Sequence, residues 1–132
     1  MNPRPLLIAL FCAGMPLAAG AADFDKLLQH YAQQGGKDFN AERGKAFWLK
    51  EQTSDSGDKM TCGSCHGADL KQPGKHNKSG KVIEPMASSI NAERYTDLEK
   101  VEKWFTRNCK QVLRRECTAQ EKGDWLTFMI SQ

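Results

Sequence analysis

One continuous apolar run, Leu6 to Leu17, opens the chain, and four helical stripes follow it. In 23–34, Phe24, Leu27, Leu28 and Tyr31 fall at the spacing of one helix face, and Gly35-Gly36 end the stripe. Asn40 is a good N-cap for a second helix over 41–52, which carries Gly44, Phe47 and Trp48. A glycine with aromatic residues three and four positions on gives one face where a neighbouring helix can approach closely. Thr96-Asp97-Leu98-Glu99 reads as a capping box, and the helix it starts places Leu98, Val101, Trp104 and Phe105 together and ends near Arg107. A second capping box, Thr118-Ala119-Gln120-Glu121, starts a terminal helix with Trp125, Leu126, Phe128 and Met129. Between the stripes, 53–61 is polar and turn-rich, and 67–95 lacks periodicity and contains Pro73, Gly74, Gly80 and Pro85. A loop as long as 67–95 inside a small domain is expected to wrap something.

The 132 residues suffice for one domain, and a net charge of +3 without a basic block argues against nucleic acid as a partner. The opening run changes the picture more. Arg4 precedes it and the small residues Ala19-Gly20-Ala21 follow, which is the pattern of a secretory signal peptide over 1–21 with a mature start at Ala22. The run is too short to span a bilayer, so the mature chain is expected to be soluble, exported to the periplasm and monomeric. Residues 22–40 are then a helical extension packed on the domain. Cleavage discards Cys12 and leaves Cys62, Cys65, Cys109 and Cys117 in an oxidising compartment.

Cys62-Gly63-Ser64-Cys65-His66 is the C-x-x-C-H signature of c-type haem attachment. Two thiols one helical turn apart can each add across a vinyl group of one porphyrin, and the following histidine lies where it can ligate the iron. A zinc site or a thiol–disulfide redox pair would use the same two cysteines. Zinc usually brings a second ligand cluster, and a thioredoxin-like centre needs a βαβ pattern. Neither is visible. With two cysteines assigned to haem, Cys109 and Cys117 are left as an even pair, which favours a disulfide.

The order helix, haem motif, wrapping loop, helix, short loop, terminal helix resembles the class I cytochrome c fold. That resemblance implies an all-α domain over 41–132, with three to five helices around one covalent haem c. It also implies that the first and last helices cross, Gly44 and Phe47 meeting Trp125 and Met129. His66 becomes the proximal ligand, its Nδ1 donating to a backbone carbonyl, with Pro85 preferred over Pro73.

On the distal side, ordinary class I carriers take a methionine from the loop between the last two helices. Here that stretch, Asn108 to Cys117, has none. Met86 is one alternative, in a Pro-Met pair that precedes the penultimate helix. Asn108 is the other, placed directly after that helix, where an asparagine also serves as a C-cap.

Glu42-Arg43-Gly44, Cys62-x-x-Cys65-His66-Gly67-Ala68-Asp69, Gly80-Lys81-x-Ile83 and Val101-Glu102-Lys103-Trp104 extend the comparison, together with Arg107-Asn108-Cys109 and Cys117-Thr118-x-x-Glu121-Lys122. In these stretches the chain resembles the sphaeroides haem protein family of high-spin monohaem cytochromes c. The resemblance implies Asn108 as a distal ligand that leaves on reduction, beside a Cys109–Cys117 disulfide. It also implies ferrous haem that binds oxygen, nitric oxide or carbon monoxide, and a dihaem cytochrome c as electron donor. The second reading is a low-spin electron carrier with His66 and Met86 as ligands. Carriage, gas binding and oxygen- or nitric-oxide-linked turnover are all compatible with these residues. Lys71, Lys75, Lys78 and Lys81 offer a docking patch for an acidic partner or a solvated loop face.

Overall fold

The computed structural model describes residues 19–53 and 57–132, and the apolar run with Arg4 and Cys12 lies outside them. Helix α1 (Ala19–Gln33) takes Ala19-Gly20-Ala21 into its backbone. It stops at Gly35, whose φ of +100° only glycine adopts readily, and the Gly36 N–H closes the end on the Tyr31 carbonyl. The side chain of Asn40 caps α2 (Ala41–Leu49) by accepting from the Arg43 N–H. The helix is shorter than the expected 41–52, because Lys50 turns extended and β1 (Gln52–Thr53) pairs antiparallel with β2 (Lys59–Met60). The haem motif forms the short α3 (Gly63–His66).

The stretch 67–95 is more ordered than its composition suggests. It contains the ladder of β3 (Gly74–Lys75) with β4 (Val82–Ile83) and a 3-10 turn over Ala92–Tyr95. Helix α4 (Leu98–Leu113) is capped by Asp97, which accepts from the Lys100 N–H, so the expected Thr96 capping box is displaced by one residue. Thr96 instead closes the 3-10 turn by donating to the Glu93 carbonyl. The expected end near Arg107 is corrected as well. The apolar stripe continues through Val101, Phe105 and Cys109, all buried, and neither glycine nor proline interrupts it before Arg114 turns left-handed at φ 62°. Helix α5 (Ala119–Ile130) starts at the predicted Thr118–Glu121 capping box, with both reciprocal bonds formed.

Helices α2 and α5 cross, and α1 packs on α5. The glycine at the crossing meets different residues from those expected. A Cβ on Gly44 would stand 2.7 Å from the Asp124 carbonyl carbon and 2.8 Å from the Phe128 Cβ. Trp125 turns instead toward Trp48, Tyr95 and Phe105, and Met129 is fully buried. Phe24, Leu27 and Tyr31 bring α1 into this same core, with the Phe24 ring tilted against Tyr95 at 5.1 Å between centroids. No helix among the described residues is long and apolar enough to cross a membrane.

Asp124 locks the crossing. Arg43 donates to both of its carboxylate oxygens at 2.8 Å, and the Asn40 N–H (2.7 Å) and Gln120 (3.1 Å) donate to one of them. Burial works against its charge, and these donors outweigh burial, so the carboxyl titrates below its ordinary range. The stability it supplies is present above the unfolded pKa and is lost as pH falls through the lowered folded one. Asp124→Asn is therefore expected to cost about 2 kcal/mol near neutral pH. Denaturation midpoints of wild type and variant, measured against pH, should converge in acid.

Candidate haem and distal-ligand site

Cys62, the N-cap of α3, and Cys65 and His66 within it lie about one turn apart, with Trp48 near the end of α2 against them. Both thiols are free and half-buried, whereas Cys109 and Cys117 are joined in a disulfide with Cα atoms 5.7 Å apart. Burial pushes the Cys62 thiol up to about 11. The His66 imidazole packs against Trp48 with ring centroids 5.5 Å apart. Burial, aided by the nearby Arg94 cation, lowers its pKa to about 4. It is therefore neutral at physiological pH, the form that ligates metals.

The second wall of the motif is Gly74, which sequence reading treated only as a loop breaker. A Cβ there would stand 2.6 Å from the His66 Cα, so β3 lies directly against the motif backbone. Two open clefts flank α3. One, of about 560 Å³, is walled by Trp48, Thr61, Gly63, Leu70 and Phe128; the other, of about 720 Å³, by Cys65, Gly74, Lys75, His76 and Val82. Neither is walled by His66 or Asn108.

The expected bond from His66 Nδ1 to the Pro85 or Pro73 carbonyl is absent: Nδ1 is buried without a hydrogen-bond partner. The segment carrying Pro85 is held elsewhere. The N–H groups of Met86 and Ala87 both donate to the Leu70 carbonyl, and the Tyr95 hydroxyl donates to the Met86 carbonyl. Met86 is thus pinned at its backbone on both sides, and the residue is buried within the core.

Asn108 lies inside α4, not in a loop and not at a helix C-cap as the sequence alternatives had it. It is half-buried and immediately precedes Cys109, whose disulfide ties α4 to the start of α5. Cys109 and Cys117 belong to the hydrophobic core.

The donor set fits a covalent haem. Two reduced thiols sit one turn apart, the other two described cysteines are already bonded to each other, and a neutral buried imidazole follows with one nitrogen unpaired. A zinc centre has less support: no three His, Cys, Asp or Glu side chains converge among the described residues.

Comparison with known proteins agrees. A family model described as a domain of unknown function, DUF1924, matches residues 34–129. The chain is 40% identical over 129 residues to the cytochrome c-type protein SHP of Cereibacter sphaeroides, covering 98% of each. The solved structure of oxidised SHP, an oxygen-binding cytochrome c, matches with a TM-score of 0.75 and 40% identity, over 83% of this chain and 96% of that one. The solution structure of Methylophilus methylotrophus cytochrome c'', which addresses haem-ligand detachment in that protein, matches with a TM-score of 0.72 and 29% identity. There the shares covered are 85% of this chain and 95% of that one. The chain has the class I-like helical fold and one covalent haem c of these c-type cytochromes, and it belongs to the DUF1924 domain family and to the sphaeroides haem protein family.

Proposed function

We propose that this is a periplasmic gas-binding cytochrome c, exported by a signal peptide over 1–21, with Cys62 and Cys65 as haem attachment points. His66 is its proximal ligand and Asn108 its detachable distal ligand. The observation that carries the reading is the placement of Asn108. It is a half-buried amide on α4, one residue before a disulfide-anchored core cysteine, in a chain closely related to an oxygen-binding cytochrome c.

When bound, the haem supplies an iron whose ferrous form takes a diatomic gas such as oxygen, nitric oxide or carbon monoxide. Asn108 contributes a hard, neutral amide oxygen, which holds ferric iron better than the softer ferrous ion. Once detached, the same side chain offers its NH2 as a hydrogen-bond donor to the gas. The disulfide one residue on would limit how far this part of α4 can move while Asn108 is off. His66, uncharged through burial, would offer the iron a ring nitrogen lone pair. Electrons come from a partner cytochrome, a dihaem cytochrome c. The exposed Lys71, Lys75, Lys78 and Lys81, around the β3–β4 ladder, give an acidic partner a place to dock.

The test is optical spectroscopy of holoprotein with Asn108→Ala and, separately, Met86→Ala. Wild type should be high-spin when ferric and bind carbon monoxide when ferrous. Asn108→Ala should change the ferric spectrum and release oxygen about tenfold faster, the worth of one hydrogen bond. A low-spin wild type with a methionine–iron band that disappears in Met86→Ala would replace this reading with His66–Met86 electron transfer.

A further inference from the structure

Tyr31, Glu102 and Lys122 come from three different helices and meet at one point on α4. The Tyr31 hydroxyl donates to Glu102 Oε1, and Lys122 Nζ donates to the two Glu102 oxygens at 3.1 and 2.8 Å. Tyr31 is fully buried, and the Lys122 side chain is only 12% exposed. Lys122 Nζ also lies over two rings, 5.5 Å from the Tyr31 centroid and 5.7 Å from that of Phe105. Phe105, one turn beyond Glu102's neighbour Val101, packs edge-on against both Tyr31 (6.0 Å) and Trp125 (5.1 Å).

This geometry is more polar than core packing requires. The Glu102 side chain is 31% exposed, so the pair is part-buried, and such a pair is seldom the most stabilising filling because both charges must be at least partly desolvated. What it supplies is a fixed relative position, here of α4 against α1 and α5. Burial opposes the charge on Glu102, and the bonds from Lys122 and Tyr31 overcome it, so the carboxyl titrates low and stays ionised.

Asn108 lies between two ties that both lead to α5. Glu102 is joined to Lys122 on one side of it, and Cys109 to Cys117 on the other. Along a rigid helix the first tie is about 9 Å from Asn108. We propose that Tyr31, Glu102 and Lys122 form a positioning clamp that sets the stance of α4 and thereby how readily the Asn108 amide detaches from the haem iron. The inference rests on the reading of Asn108 as distal ligand. It gives the N-terminal extension a role in ligand exchange, since Tyr31 is its contribution to the clamp. None of the three residues touches the reacting atoms in this scheme; they act through α4.

The experiment uses holoprotein and a double-mutant cycle between Tyr31→Phe and Asn108→Ala. Tyr31→Phe keeps the buried ring and removes only the hydroxyl. Two quantities are read: the rate of carbon monoxide uptake on reduction, which Asn108 departure limits, and the thermal midpoint. Tyr31→Phe should change the uptake rate about fivefold, at the lower end of typical site-to-site coupling, and should have no further effect in the Asn108→Ala background. Glu102→Gln, which still accepts from the Tyr31 hydroxyl but loses the charge pairing with Lys122, should change the rate in the same direction. It carries the same cycle if Tyr31→Phe does not fold. A shifted thermal midpoint with unchanged uptake would overturn the clamp and leave the Asn108 reading intact. So would an equal effect of Tyr31→Phe with and without Asn108. If Asn108→Ala itself alters neither the ferric spectrum nor the uptake, the ligand reading fails.

Discussion

A chain in which both Cys62 and Cys65 are replaced by alanine is expected to carry no covalent haem and to lose most of its native structure. The single substitutions should each retain one thioether and bind the same haem less tightly. Mass spectrometry of the intact chain reads the first result directly, as the absence of the haem mass. Circular dichroism and thermal melting read the second. The size of the effect follows from how little apolar material the protein has for its interior. Its core joins a few residues from each of α1, α2, α4 and α5, and much of the part near α3 is a chain of aromatic rings: Trp48 against His66 and Trp125, and Trp125 against Tyr95 and Phe105. A porphyrin held by α3 adds a large apolar body to that chain, and a domain this small depends on such a staple. Losing it should cost several kcal/mol out of a total of about 5–15. Haem that stays covalently bound without these two thiols would overturn the assignment of the attachment points.

Local spacing explains what could be read from the sequence. The haem motif spans five consecutive residues, so one turn of chain fixes its geometry before any tertiary contact forms. Asn40 and Thr118 cap helices through bonds to residues three positions on, and both are found in those roles. Gly44 was legible as a crossing point because a helix that needs close approach must have a residue without a side chain. The partner across that crossing was not legible, since it depends on how α5 is rotated. Asn108 was misplaced for a related reason. The polar stretch after Arg107 resembled a loop, yet Cys109 continues the buried stripe of Val101 and Phe105, and the turn comes at Arg114, a residue type with no special preference for positive φ. Continuing the stripe as far as Cys109 would have found it. Other features leave no local trace. Phe39 fills the space above both Gly36 and Gly123, and the Tyr31–Glu102 bond joins positions far apart in the chain. The first exists only once Phe39 has docked on α5, and the second only once α1 has docked on α4.

Alanine at Gly44 should be the most damaging single-methyl change in the helical scaffold, costing about 3 kcal/mol, the upper part of the range for overpacking. At that size the thermal midpoint of the holoprotein should fall by roughly 10 °C. The direction opposes helix propensity, which alone would make alanine better than glycine by about 1 kcal/mol. Packing wins because of what the new methyl meets. It would lie 2.7 Å from the Asp124 carbonyl carbon, and closer still to the carbonyl oxygen. These are backbone atoms of α5, which cannot rotate away, and the Asp124 side chain is itself held by Arg43, Asn40 and Gln120. Relief therefore requires the two helices to separate, which loosens Trp48 against Trp125 and, through Trp48, the packing on His66. Gly123→Ala provides the contrast. Its methyl also meets a neighbour too closely, but that neighbour is the Phe39 ring, a half-buried side chain that can swing aside. If backbone approach at the crossing is what requires glycine, Gly44→Ala should lower the melting temperature clearly more than Gly123→Ala, and only Gly44→Ala should perturb the haem spectrum. Equal losses from the two would mean that general crowding in α5, and not the α2–α5 contact, limits stability.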